Sequence, residues 1–321
     1  MADWSLRSPF PYFGGKKEVA AEVWTRLGNV SHYLEPFFGS GAVLFGRPGQ
    51  PGVETVNDLD GFVANAWRGI KHDAETVASF CDTPTNENDK HANHWWLISK
   101  RDSIVPRLEA DPNWFDAEIA GRWIWGVCTW IGGFFCDGNG AWLVEDGELR
   151  YVGSKRRGGR PGIMRQVPKL NHGCGVTRRG VNLRSWFAAL QQRLRYVTVT
   201  CRSWEKLVTP SAIGTHESVG FFLDPPYHAG TGRDMDCYRC DSFDVADAVR
   251  EWAIKAGEDK RFRIAVAGYE GEHVFPGWSV LEWKARGGFG VARNEEYSNN
   301  ERERIWFSPG CLRAREQLTF F

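Results

Sequence analysis

Apolar residues fall along the chain in short runs, most of them bounded by Gly, Pro or Asp. Runs of this length, enriched in β-branched and aromatic residues, read as buried strands. They are Ser31–Phe37 (leading into Phe38-Gly39-Ser40-Gly41), Glu54–Asp58, Val197–Cys201, Val219–Leu223 (leading into Asp224-Pro225-Pro226-Tyr227), Phe262–Ala267, Trp278–Trp283 and Arg304–Phe307. Between several of them the apolar spacing changes to that of helices, over Lys17–Leu27, Asp60–Lys71, Arg184–Leu194 and Val245–Ala256. Strands alternating with helices predict a mostly parallel, doubly wound α/β sheet. Such a sheet places its ligand outside the carboxyl ends of the strands.

Residues 72–183 break this rhythm. The interval holds a polar stretch, Asp82–His94, then a Trp-dense segment, Trp114–Trp142, then a Gly- and Arg-rich run, Gly153–Gly180. We read it as a module inserted into a sheet domain made of residues 1–71 and 184–321. Trp123, Trp125 and Trp130 fall on one helical pattern and are expected to be core rather than base-stacking platforms.

Composition sets outer bounds. At 42% hydrophobic and 25% charged, the chain is an ordinary globular sequence able to form a sizeable core. No apolar run approaches the roughly 20 residues of a membrane helix. The start, Met1-Ala2-Asp3-Trp4-Ser5, lacks the basic and apolar regions of a secretory signal. Eight cysteines in 321 residues are too sparse for a disulfide scaffold, so reduced thiols in a cytoplasm are expected. The net charge is zero but unevenly spread: Tyr151–Trp204 contains no acid and twelve Lys or Arg residues. A field of this sign suits a polyanion, because each cation that neutralises a phosphate releases counterions.

The most specific chemical signal is Asp224-Pro225-Pro226-Tyr227 at the carboxyl end of a buried run. Two prolines stiffen the turn and remove two N–H donors, so a carbonyl can stand beside the carboxylate. Two adjacent acceptors match the two hydrogens of an exocyclic amine, and Tyr227 offers a ring to stack on the same base. Glu35-Pro36-Phe37-Phe38-Gly39-Ser40-Gly41 supplies a glycine turn that lets a ligand approach the backbone, followed by a helix start with free N–H groups. Asp58, closing the second run, can accept from both hydroxyls of a ribose; the alternative is an N-cap for the helix that follows. Pro11-Tyr12-Phe13-Gly14-Gly15-Lys16 is a turn presenting a cation. Cys237-Tyr238-Arg239-Cys240, with His228 and Cys201, has metal-ligand spacing, but a single CxxC is poor support for zinc and no metal is expected.

In this order, Tyr12-Phe13-Gly14-Gly15-Lys16, Glu35–Gly41, Asn57-Asp58, a long insertion and Asp224–Tyr227 resemble the adenine-specific DNA N6-methyltransferases of the Dam type, the D12 class. The recognition segment precedes the Asp-Pro-Pro-Tyr motif, which is the alpha order. Glu301–Pro309 is similar to the C-terminal end of phage-borne members. The resemblance implies a Rossmann-like methyltransferase sheet with an inserted target-recognition module, S-adenosylmethionine as donor and double-stranded DNA as partner. No obligate protein partner is expected. Carried over by position, Tyr12 and Lys16 would contact the donor and Asp58 its ribose. Phe37 and the Gly39–Gly41 turn would hold its methionine side, Glu35 would belong to the same donor site, and Asp224 would touch both donor and target amine. Asp224, Pro225, Pro226 and Tyr227 would form the catalytic corner. Lys155, Arg156, Arg157 and Arg160, with Arg178 and Arg179, would face DNA.

The reaction so implied is direct transfer to adenine N6 in a base flipped out of the duplex. Three alternatives stay open. Cytosine N4 is also an exocyclic amine, although Asp at 224 favours adenine. A methyltransferase acting on RNA or a protein amide would share the donor motifs. A non-catalytic DNA-binding protein could keep the fold as a scaffold, but it would have no physical reason to retain Asp224, Tyr227, Asp58 and the glycine turn together.

Overall fold

All seven apolar runs form strands of one sheet. The structure is a computed structural model that describes residues 6–12, 16–49, 51–130, 135–136, 142–146, 148–151, 182–226, 245–283 and 303–313. In chain order the elements are α1 (Ala20–Leu27), β1 (His32–Glu35), α2 (Ala42–Phe45), β2 (Val53–Asn57), α3 (Gly61–Cys81), α4 (Glu87–Ala110), α5 (Ala117–Thr129), β3 (Trp142–Glu145), β4 (Glu148–Tyr151) and α6 (Leu183–Leu194). They continue with β5 (Val197–Thr200), α7 (Pro210–Ile213), β6 (Val219–Leu223), α8 (Val245–Ala256), β7 (Phe262–Tyr269), β8 (Ser279–Glu282) and β9 (Glu303–Phe307). The sheet order is β5-β2-β1-β6-β7-β9-β8, and β3 and β4 form a separate antiparallel pair. The first five strands run parallel, while β9 is antiparallel to both neighbours. This is a Rossmann-like, mostly parallel sheet, as the alternation of strands and helices predicts.

Strands buried on both faces need apolar residues on both parities, and β6 (Val-Gly-Phe-Phe-Leu) is buried at every position. Alternate residues feed two cores. Tyr33, Val56 and Phe222 pack with Val23 of α1, Trp67 of α3 and Phe187 of α6 on one face. Leu34, Phe221 and Leu223 pack with Val249 and Ala253 of α8 on the other.

The helical layer from the Trp-dense region shares the first core. Trp123 and Trp125 are buried on α5, as expected for core residues, and Trp130 caps its C-terminus. Gly69 of α3 and Gly121 of α5 let the two helices approach closely: a Cβ on Gly121 would lie 2.4 Å from Phe80. Helix α3 continues past the stretch 60–71 read from the sequence. Asp73 interrupts it with non-helical backbone, and its carboxylate then caps the continuation by accepting from the Thr76 N–H at 3.1 Å. The boundary expected at 71/72 therefore falls at a kink inside one element. The buried Arg68 ties the layers together, donating to the carbonyls of Val199 (2.9 Å), Asp111 (2.9 Å) and Trp114 (3.2 Å). Among the described residues no helix is long and apolar enough to cross a membrane.

Candidate functional site

The parallel order runs outward from β1 to β2 and β5 on one side, and from β6 to β7 on the other. The carboxyl ends of β1 and β6 are thus the point where the winding reverses, which is where open α/β sheets bind ligands. A cleft of about 310 Å³ opens there. Tyr12, Lys16, Glu35, Phe37, Gly39, Asp58, Asp224 and Pro226 all line it, although they come from four motifs spread over more than half the chain. Pro225 is buried beside them.

The glycine turn is held through both the N–H and the carbonyl of one residue, Gly39. Gly39 has a φ of 46°, in the left-handed region where glycine is favoured. Its N–H donates to Asp58 Oδ2 at 2.8 Å, and its carbonyl accepts from Trp67 Nε1 at 2.8 Å. A Cβ at this position would stand 2.5 Å from the Tyr12 ring, so the absence of a side chain is what lets Tyr12 close over the turn. Gly41, with a φ of 66°, faces the rings of Phe38 and Phe45 and does not line the cleft. The helix that follows, α2, is a single turn. The loop is therefore organised by Asp58 and Trp67 more than by a helix end.

Asp58 is not the N-cap of α3. That position belongs to Asp60, which accepts from the Phe62 N–H at 2.9 Å. Asp58 instead bridges two loops, accepting from Gly39 through Oδ2 and from the Asp60 N–H through Oδ1 at 2.9 Å. Beside it, Asn57 joins three strand ends. Its amide donates to the carbonyls of Pro36 (3.0 Å) and Arg202 (2.9 Å), while its oxygen accepts from Thr200 Oγ1 (2.9 Å) and the Arg202 N–H (3.0 Å).

Charge in the cleft is dominated by carboxylates. Glu35, 2% exposed at the end of β1, accepts from the Tyr33 hydroxyl at 2.9 Å. Burial holds its carboxyl well above the usual range despite that hydrogen bond, and the nearby Asp224 adds to the rise. Lys16, 3% exposed, sits with Nζ 3.0 Å from Asp224 Oδ2 and 3.7 Å from Glu303 Oε2. Burial alone would lower its pKa; the two carboxylates outweigh that, and the ammonium is held above its ordinary value.

Sequence reading missed Glu303, Trp204, Arg202 and Phe222 as parts of this site. Arg202 and Trp204 follow β5, and their signal was the sheet order itself: β5 lies beside β2, so its carboxyl end opens on the same edge. Tyr227 and the DNA-facing set Lys155, Arg156, Arg157, Arg160, Arg178 and Arg179 lie outside the described residues. So do His228, Cys237 and Cys240. Cys201 is buried with its Sγ 3.8 Å from the Leu59 carbonyl, and burial pushes its thiol up to about 12.

Comparison with known proteins agrees with the motifs. A Type II methyltransferase of Lactococcus lactis subsp. cremoris, M1.LlaDCHI, is 26% identical over 105 residues, covering 32% of this chain and 36% of that protein's length. The family model for D12 class N6 adenine-specific DNA methyltransferase matches residues 12–97. Across that segment, which contains Tyr12, Lys16, the glycine turn and Asp58, the chain carries the sequence pattern of the D12 class N6 adenine-specific DNA methyltransferases.

Proposed function

We propose that the protein transfers a methyl group from S-adenosylmethionine to the N6 amine of adenine at a specific sequence in double-stranded DNA. The observation that carries this reading is the convergence of Lys16, Glu35, Gly39, Asp58 and Asp224 on one cleft at the switch point of the sheet. The D12 class pattern in residues 12–97 supports adenine as the target.

The cleft suits the proposed donor on three counts. Gly39 lets the Tyr12 ring close over the turn, so that backbone and ring together wall one side of the cleft. Phe37 and Trp204, with ring centroids 6.3 Å apart, supply aromatic surface. Asp58, Asp60 and Asp224 give the lining an acidic character that favours a cationic ligand. S-adenosylmethionine, when bound, supplies an electrophilic methyl group on a sulfonium. Tyr12, Lys16, Glu35, Phe37 and the Gly39 turn would hold it, with Asp58 accepting from its ribose.

The amine is the harder partner to activate, because its lone pair is delocalised into the purine ring. Asp224 and the Pro225 carbonyl accept its two hydrogens, which favours a more tetrahedral nitrogen with a directed lone pair. Lys16 fixes the Asp224 carboxylate through Oδ2, leaving Oδ1 for the amine. The rate gain then comes from positioning and from dipoles arranged before the reaction begins. In duplex DNA the amine is inaccessible, so the base is flipped out, with Tyr227 stacking on it. Lys155, Arg156, Arg157, Arg160, Arg178 and Arg179 of the acid-free stretch supply the phosphate contacts, and residues 72–183 act as the target-recognition module.

The direct test incubates the protein with methyl-labelled donor and duplex DNA, then digests the DNA to nucleosides. Labelled N6-methyl-2′-deoxyadenosine is the expected product, in one sequence context. Label in N4-methyl-2′-deoxycytidine would move the target to cytosine, and a chain that labels no nucleoside would overturn the reading.

A further inference from the structure

Among the described residues Lys16 contacts the carboxylates of Asp224 and Glu303, and the first of them belongs to the Asp-Pro-Pro-Tyr corner. The other is Glu303, the first residue of β9, placed opposite Tyr269 at the end of the antiparallel pairing with β7. It is buried on a strand that carries none of the donor motifs. Its neighbour Arg304 is engaged elsewhere, 3.0 Å from Glu270 and 3.9 Å from Glu282. The Glu303 carbonyl accepts from the Trp283 N–H at 3.3 Å, and the Trp283 ring lies 5.9 Å from Lys16 Nζ. Strand β9 and the residue after β8 thus form a wall behind the ammonium.

Lys16 Nζ thus stands between Asp224, at 3.0 Å, and Glu303, at 3.7 Å. One ammonium could be neutralised by one carboxylate, and a second buried carboxylate carries a further desolvation cost. An ammonium is a compact point charge with three rotatable donors, so it can be shared between two acceptors. Sharing has a consequence for Asp224. With Glu303 present, Lys16 is drawn toward β9 and its attraction is divided. Without it, the whole ammonium would settle on Asp224 and compete with an incoming amine for the same carboxylate.

We infer that Glu303 is a positioning residue for methyl transfer, acting through Lys16 to hold the ammonium at the distance that keeps Asp224 an acceptor for the target amine. This rests on the proposed function. The charged groups acting on Lys16 are Asp224 from the end of β6 and Glu303 from β9; Glu35, from β1, faces Asp224 in the same cleft. Both carboxylates raise the Lys16 pKa against the effect of burial. Removing Glu303 therefore lowers it, and the protonated form needed to fix Asp224 is lost at a lower pH.

The test compares full-length wild type with Glu303→Gln and Glu303→Asp, measuring kcat, donor and DNA KM, and the pH profile of kcat. Glu303→Gln is expected to lower kcat by about 10- to 100-fold with each KM changed less than about threefold. Its alkaline limb is expected to move to lower pH. Glu303→Asp keeps the charge, so it should recover part of kcat and retain the wild-type limb. An active wild type whose Glu303→Gln variant matches it in kcat and limb position overturns the role of Glu303 while leaving the proposed function intact. A wild type without methyl transfer overturns both. If Gln at position 303 prevents folding, Glu303→Asp decides. Reduced kcat on an unmoved limb supports the inference, and an unchanged kcat overturns it.

Discussion

Two largely buried ionic triads among the described residues are built in opposite ways. Near the amino end of β2, Glu54 sits between two guanidiniums. Arg47 Nη1 is 3.1 Å from Oε1, Arg193 Nη1 is 2.6 Å from Oε2, and Arg193 Nη2 is 2.7 Å from Oε1. The outer N–H groups reach the carbonyls of Val30 (2.6 Å) and Leu44 (3.1 Å), and Arg47 covers the Trp24 ring at 5.0 Å. At the carboxyl edge the ratio is reversed, with Lys16 between two carboxylates, one at 3.0 Å and one at 3.7 Å. The first triad is a closed lock of rigid forks joining α2, β2 and α6. The second is a shared point charge on the wall of a cleft. The first serves stability, and the second, on the proposed function, would keep Asp224 oriented toward the target amine.

The largest effect that would sharpen this contrast is on catalysis. Asp224→Ala is expected to reduce methyl transfer by at least about 10³-fold. The fold should survive, because Glu303 still pairs with Lys16, and non-specific DNA affinity should be largely unchanged. Labelled-methyl incorporation, a thermal melt and a gel-shift assay on the same preparation check all three. Glu54→Ala should do the reverse. It strands two buried guanidiniums and is expected to cost about 3–5 kcal/mol of stability, read from urea denaturation. The fraction still folded should transfer methyl normally. If Glu54→Ala were inactive while fully folded, the two triads would not divide as described.

A smaller effect follows from Glu35. Its folded pKa is raised above the unfolded value of about 4.5, so the folded chain holds this proton more tightly than the unfolded chain. Stability from this group is fully present below the unfolded pKa and is lost as pH rises toward the folded one. Glu35→Gln removes the dependence. Its stability relative to wild type should therefore improve above about pH 4.5, by at most about 1.4 kcal/mol per pH unit. Parallel stability curves for the two proteins would show that Glu35 titrates normally. The smallest effect concerns DNA. Neutralising Arg156, Arg157 and Arg160 together should reduce the slope of log affinity against log salt by about 2 to 3. An unchanged slope would remove that segment from the interface.

The sheet was legible because buried strands write themselves as apolar runs, mostly bounded by Gly, Pro or Asp. All seven runs became strands, with ends moved by one or two residues. Helix α3 was legible only to its kink, since the Asp73 interruption looks like a terminus and the continuation to Cys81 has its own cap. The donor-side residues were legible because they follow strands directly, where local motif and sheet edge coincide. Asp58 was placed in the cleft, but its capping alternative passed to Asp60, two residues away and of the same chemistry. Glu303 could not be found this way. It reaches Lys16 only after β9 inserts antiparallel between β7 and β8, a pairing that no local pattern announces. The Arg47–Glu54–Arg193 lock was hidden for the same reason, being assembled from three elements that are separate in sequence.

The central claim is that the cleft between the ends of β1 and β6 holds the methyl donor beside Asp224. A crystal structure of the protein with bound S-adenosylmethionine, or with its demethylated product, tests it most directly. The expected result places the ribose hydroxyls on Asp58, the aminoacyl end against the Gly39 turn, and the sulfur within reach of an amine held by Asp224. A donor bound at any other surface, with this cleft empty, would contradict the account.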